Sequence, residues 1–213
     1  LSAENLDMSI DTAKKVVDII FTSPNPNIAI EFQGGEPLVN WKAIKFIVEY
    51  ALRVNKSRSK KLLFTLVSNL TNLDKDKIDF IIKNNIAVCT SLDGPEKVHN
   101  KNRIYKGKAN SYQKVVAGIN RIRNKIDGHK RYRFELNALP TITKNSLPYA
   151  TAIVDEFIKF GFKGIHLRRV SPFGMKNAKD KISVSVGEFM RFYKTAMDYI
   201  IELNLSGKKV YER

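Results

Sequence analysis

Cysteine is almost absent: Cys89 is the only one in 213 residues. A disulfide framework and an all-cysteine metal site are therefore excluded within this chain. Histidine is scarce as well, and His99, His129 and His166 are scattered, which speaks against a His-rich metal centre. No run of about 18 apolar residues occurs, so no transmembrane helix is expected. The opening LSAENLDMSI lacks both an initiator Met and a basic flank followed by an apolar stretch, so it does not read as a signal peptide. Acid is in short supply, with 21 Asp+Glu against 37 Lys+Arg and a net charge of +16. What is present in quantity is apolar: 43% of residues, including 12 Phe, enough to bury a core and to exclude global disorder.

Short apolar runs alternate with longer amphipathic stretches. The spacing predicts helices over 9–21, 41–54, 74–83, 112–126, 149–160 and 186–203, and strands over 28–32, 60–67, 86–92, 132–139 and 164–170. Asp11 falls in the first turn of the first helix, and Gly161 follows the fifth helix as a natural C-cap. Repeated βα units require parallel pairing, because each crossover returns to the same edge. The strands read as apolar on both faces, as under helices on both sides of a sheet. No linker divides the chain, so residues 1–213 are read as one α/β domain, an open doubly wound sheet or a partial (β/α) barrel.

Ligands in such folds bind beyond the carboxyl ends of the strands. Those ends carry Gln33-Gly34-Gly35-Glu36-Pro37, Ser68-Asn69, Ser91-Leu92-Asp93-Gly94-Pro95, Pro140-Thr141-Ile142-Thr143 and Arg168-Arg169-Val170-Ser171-Pro172. In the first, glycines bring backbone carbonyls close to a ligand, and those carbonyls with Glu36 suit a cationic donor such as an ammonium group. The phosphate-binding fingerprints G-x-x-x-x-G-K-[ST] and G-x-G-x-x-G are absent. Each turn also has a plainer reading: a tight strand-to-helix turn, a capping loop at Ser68-Asn69, and an Asp93 that satisfies its own backbone.

The stretch Glu31–Leu38, then Ser91–Pro95 and His99-Asn100-Lys101-Asn102-Arg103, resembles the radical S-adenosylmethionine enzymes. With Ser146-Leu147-Pro148, Gly161-Phe162 and Arg168–Gly174, it is most similar to the sulfatase-maturase, or SPASM, peptide-modifying branch and the maturases of His-Xaa-Ser systems. The resemblance implies a (β/α)6 TIM-like barrel whose first strand and cluster loop precede this chain. It implies that Gly34, Gly35 and Glu36 hold the amino group of S-adenosylmethionine, and that Ser91 and Arg103 hold its carboxylate and ribose region. Ser68 and Asn69 would border the pocket, and Val170 would pack near the adenine.

The implied reaction is reductive cleavage of S-adenosylmethionine to a 5′-deoxyadenosyl radical that acts on a peptide or protein. A [4Fe–4S] cluster and a reductant such as flavodoxin or ferredoxin would serve it, in the cytoplasm and away from membranes. The family holds its cluster with a C-x-x-x-C-x-x-C loop, which this chain lacks. Cys89, inside Ile86–Thr90, reads as a small buried apolar residue, and one thiolate cannot hold such a cluster. The chain is then either an excerpt or a degenerate homologue, and this polypeptide alone is expected to bind no iron. From Lys97 to Arg133 there are twelve Lys+Arg and one acid, Asp127, with Tyr105, Tyr112 and Tyr132 among them. That stripe supports the rival reading, a basic nucleic-acid- or peptide-binding domain without catalysis. The tyrosines are too sparse for a base-stacking platform, so a nucleic-acid partner is not expected.

Overall fold

The structure, a computed structural model, describes residues 7–105, 110–171 and 182–212. Leu1 and the Pro172-Phe173-Gly174 part of the last motif lie outside the described residues. The chain divides into two compact units: Leu1–Ser68, Asn72–Val88 and Ile122–Phe134 form the first, and Asn69–Thr71, Cys89–Arg121 and Glu135–Arg213 the second.

In the first unit, α1 (Ile10–Ile20) begins where the Ser9 hydroxyl accepts from Thr12 N, and Asp11 occupies the first turn. Its buried stripe, Ala13 and Val17, packs on α2 (Trp41–Asn55), which buries Ala43, Ile44, Ile47, Val48 and Ala51. Strand β1 (Asn27–Phe32) pairs in parallel with β2 (Lys61–Ser68), from Asn27↔Lys61 to Phe32↔Leu66. The short 3-10 turn η1 (Pro37–Asn40) links β1 to α2, and α3 (Lys75–Lys83) starts on an Asp74 cap. The expectation that strands are apolar on both faces fails at β1, where Ile28, Ile30 and Phe32 are buried and Asn27, Ala29 and Glu31 are exposed. Strand β1 has a strand partner on one edge only among the described residues. Beside its other edge lies a groove of about 490 Å³, lined by Val16, Ile20, Ala29, Ile44 and Ile47.

The second unit is built on short parallel pairings. Strand β3 (Ile86–Thr90) contributes Cys89 and Thr90, which pair with Asn137 and Ala138 of β4 (Asn137–Ala138). Strand β4 pairs with β6 (Gly164–Ile165), and β6 with β8 (Tyr211–Glu212). Strands β5 (Thr141–Ile142) and β7 (Arg168–Arg169) form a separate pair. The predicted strand over 164–170 is thus divided into β6 and β7. Its hydrogen bonds nonetheless run on, from His166, Arg168 and Val170 N to Ala138, Pro140 and Ile142 O at 3.0–3.2 Å. Pro140 has no N–H to return, and the ladder breaks there. Helices α5 (Ser111–Ile126), α6 (Ala150–Lys159) and α7 (Val186–Leu205) complete the set with α4 (Glu96–Asn102), which periodicity did not predict. Gly161, at φ +66°, closes α6 as expected, with Gly161 N on Ile158 O and Phe162 N on Phe157 O. The secondary structure is α/β throughout and every described strand pair is parallel.

Candidate functional site

In the first unit, Gly34 and Gly35 follow β1 and are exposed, and a Cβ built on either meets nothing within 4 Å. Packing within the protein does not require glycine there; what the two glycines leave is bare, approachable backbone. Glu36 follows as the N-cap of η1, and its Oε1 accepts from Leu38 N at 3.1 Å. The same oxygen accepts from Ser68 Oγ at 2.7 Å, and Ser68 is fully buried at the end of β2. Two predicted residues, Glu36 and Ser68, are therefore in direct contact. A carboxylate held at a strand end beside open carbonyls is an acceptor set for a cation.

The second unit carries the rest. Asn69 Oδ1 accepts from Thr71 N at 2.9 Å and Thr71 Oγ1 at 2.7 Å, so the side chain shapes its own loop. Between them Leu70 is buried at φ +58°, and the loop lies against α5, where a Cβ on Gly118 would stand 2.6 Å from Leu70 O. Ser91 is half-buried directly after β3, and Val170 is buried with its N–H on Ile142 O.

Arg103 is not a solvated member of a basic run. Its Nε donates to Asp93 Oδ2 at 2.9 Å and its Nη2 to Asp93 Oδ1 at 3.0 Å, a bidentate pair. Asp93 is 1% exposed, whereas the Arg103 side chain is 32% exposed. Asp93 Oδ1 also accepts from Thr141 N at 2.9 Å, which corrects the reading of this carboxylate as a simple turn former. The turn itself stands: Gly94 takes φ +126°, and a Cβ there would meet Ile153 Cγ1 at 2.6 Å. Asp93 N–H donates to His99 Nδ1 at 3.2 Å, which places the proton of the neutral imidazole on Nε2. His99 is fully buried, its Nε2 has no hydrogen-bond partner among the described residues, and the Tyr112 ring packs edge-on against it. Burial pushes its pKa down to about 4; the nearby Asp93 charge opposes that shift and Arg103 adds to it.

Sequence reasoning placed Thr141 at a strand end without giving it a partner, and it missed the packing of His99 under Asp93. The only local signal was Pro95-Glu96, a helix start ahead of a seven-residue helix.

Cys89 is half-buried rather than buried, and among the described residues no group of three or more His, Cys, Asp or Glu could hold a metal ion. The residues present do not fit a [4Fe–4S] cluster. Of the basic stripe, Lys125, Lys130, Arg131 and Arg133 surround an open hollow of about 990 Å³ in the first unit, together with Lys83. The tyrosines of the stripe serve the protein itself. Tyr132 OH donates to Ile86 O, Tyr112 OH to Glu156, and Tyr105 lies under Lys114 Nζ. Burial drives the Tyr112 and Tyr132 phenols upward in pKa. Among the described residues no helix is long and apolar enough to cross a membrane.

The profile described as Radical SAM superfamily matches residues 1–147. A cysteine-type anaerobic sulfatase-maturating enzyme of Clostridium novyi is 29% identical over 157 residues, 73% of this chain and 40% of that protein. Its namesake from Clostridium perfringens is 24% identical over 208 residues, 95% of this chain and 53% of that protein. The chain thus spans about half the length of the curated relatives it matches. The structure of native anSMEcpe with bound AdoMet and Kp18Cys peptide superposes with a TM-score of 0.83 at 24% identity, over 97% of this chain and 55% of that one. Streptococcus suis SuiB bound to precursor peptide SuiA gives 0.63 at 16% identity, over 92% and 40%. The α/β fold expected from the strand and helix order is the fold these structures share, and the chain belongs to the radical SAM superfamily.

Proposed function

We propose that this chain is the S-adenosylmethionine-binding part of a radical enzyme that modifies a peptide or protein. The observation that carries the reading is the anchored Glu36 carboxylate, held by the buried Ser68 hydroxyl directly after two open glycines. It presents fixed acceptors to the ammonium of the cofactor's methionyl group. In the second unit, Arg103 offers guanidinium N–H groups to a carboxylate, with Ser91, Asn69 and Val170 as further binding residues. Taken singly, each group suits one charge of the cofactor: the Glu36 carboxylate accepts from an ammonium, and the Arg103 guanidinium donates to a carboxylate. When bound, S-adenosylmethionine supplies the radical chemistry of the family; the chain's own residues bind and orient it. The cluster ligands are not among them. The peptide substrate rests on the relatives' names, sulfatase-maturating enzymes and SuiB with its precursor peptide. Flavodoxin or ferredoxin as reductant and a cytoplasmic setting belong to the same proposal, as does the description of residues 1–213 as a partial radical SAM core domain.

Calorimetric titration of the cluster-loaded full-length protein with S-adenosylmethionine tests the site. Glu36 also caps η1, so Glu36→Gln is preferred to alanine: it keeps an oxygen for Leu38 N and Ser68 and removes the charge. Glu36→Gln and Arg103→Ala should each weaken binding about tenfold or more, the loss of one charge-assisted hydrogen bond. Wild-type affinity in both variants overturns the site.

A further inference from the structure

Arginine is a costly residue to aim, since its long side chain has many rotamers to give up. Arg103 is fixed at both ends. Its N–H donates to His99 O at 2.8 Å and its carbonyl accepts from Ser111 Oγ at 2.6 Å. At the other end, Nε and Nη2 share the Asp93 carboxylate, and Nη2 reaches Thr141 Oγ1 at 3.4 Å. This pairing occupies the side-on edge of the guanidinium. Nη1 makes no hydrogen bond among the described residues, and the side chain stays a third exposed while its partner is buried. Asp93 is itself immobilised, by Thr141 N on Oδ1 and by its own N–H on His99. A buried carboxylate with three donors on it, holding a partly exposed arginine by one edge only, is built to orient the other edge.

We propose that Asp93 is the positioning residue for Arg103: it holds the guanidinium plane so that the Nη1 edge receives the carboxylate of the bound S-adenosylmethionine. The proposal rests on the reading of Arg103 given above. Preordering the fork before the ligand arrives removes a side-chain ordering cost from binding. The predicted consequence is selectivity for a ligand that carries a carboxylate.

The test compares the dissociation constants of S-adenosylmethionine and of decarboxylated S-adenosylmethionine, which keeps the amine and lacks the acid. Both are measured by titration of the cluster-loaded full-length protein. The wild type should prefer the carboxylated ligand, and Arg103→Ala should abolish that preference. Asp93→Asn should reduce the preference about tenfold, because the amide turns an N–H toward the guanidinium. The double variant should be no worse than Arg103→Ala alone. A collapse in Arg103→Ala with a wild-type preference in Asp93→Asn overturns the role of Asp93 and leaves the site standing. A wild-type preference in Arg103→Ala overturns the reading of the arginine itself. A double variant that binds S-adenosylmethionine more weakly than Arg103→Ala shows that Asp93 acts other than through Arg103, and also overturns the proposal. Should Asp93→Asn not fold, Asp93→Glu retains the charge but moves the carboxylate by one methylene; its preference should fall by a smaller factor, and an unchanged one overturns the idea.

Discussion

A single buried imidazole gives the site its own pH signature. His99 is neutral in the folded protein, with its pKa pushed down from an ordinary 6.5 to about 4, because burial penalises the cation. As pH falls below 6.5 the unfolded chain takes up a proton that the native state refuses, so stability is lost between 6.5 and about 4 and levels off below. The whole shift is worth about 3 kcal/mol. His99→Gln cannot titrate, and its side-chain oxygen can still accept from Asp93 N. Urea midpoints at pH 7 and pH 4.5 should therefore lie closer together in this variant than in the wild type. Equal spacing in the two proteins would show that His99 does not carry the dependence. At this scale the sequence was readable where chemistry sits side by side: Gly34, Gly35 and Glu36 are adjacent, and their pattern points to a cation acceptor. It was not readable where partners are apart. Asp93 and Arg103 are ten residues distant with α4 between them, and nothing in either residue names the other.

Elements with strong periodicity and their own start signals were readable almost to the residue. The spacing predicts 41–54 and 186–203, and the helices run Trp41–Asn55 and Val186–Leu205, the latter begun by a capping box of Ser185 and Glu188. Two-residue strands have no period to read, which is why β5 and β8 went unanticipated. The alternation of Tyr132, Phe134 and Leu136 imitates a strand over 132–139, but only Asn137–Ala138 pairs. The Tyr132 and Phe134 rings instead pack edge-on, and Tyr132 OH bonds Ile86 O. Helix α5 offers a test of packing against propensity. Glycine within a helix ordinarily costs about 1 kcal/mol relative to alanine. At Gly118, however, a methyl group would stand 2.6 Å from Leu70 O and 2.7 Å from Leu70 Cβ. Gly118→Ala should therefore destabilise by about 2 kcal/mol, the scale of overpacking a filled site. Gly187→Ala in α7, where the nearest atom is the Arg191 Nη1 at 3.8 Å, should instead stabilise. Thermal melts of the two variants moving in the same direction would contradict this account.

For the whole molecule, the α/β class was visible in the order of elements, because repeated βα units call for a parallel sheet, and the superfamily was visible in the resemblance carried by the residues at the strand ends. The division into two units was not visible: the first unit closes over residues 122–134, which return to it after a long excursion, and no composition shift marks that return. Charge was visible as a stripe along the sequence, yet the structure redistributes it. Arg103 is neutralised by Asp93 in the second unit, while Lys83, Lys125, Lys130, Arg131 and Arg133 gather about one hollow of the first with Asp79 as its acid. Five cations around a shared concavity repel one another, and that repulsion is released when the chain unfolds. Raising the ionic strength shortens the screening length from about 30 Å at 0.01 M to about 3 Å at 1 M. Added sodium chloride should thus raise the melting temperature of this protein, and Lys125→Glu should both raise it at low salt and flatten its rise. A melting temperature that falls with salt would locate the dominant surface electrostatics in attractive pairs. On this view the hollow is a store of folding free energy that the surrounding electrolyte controls.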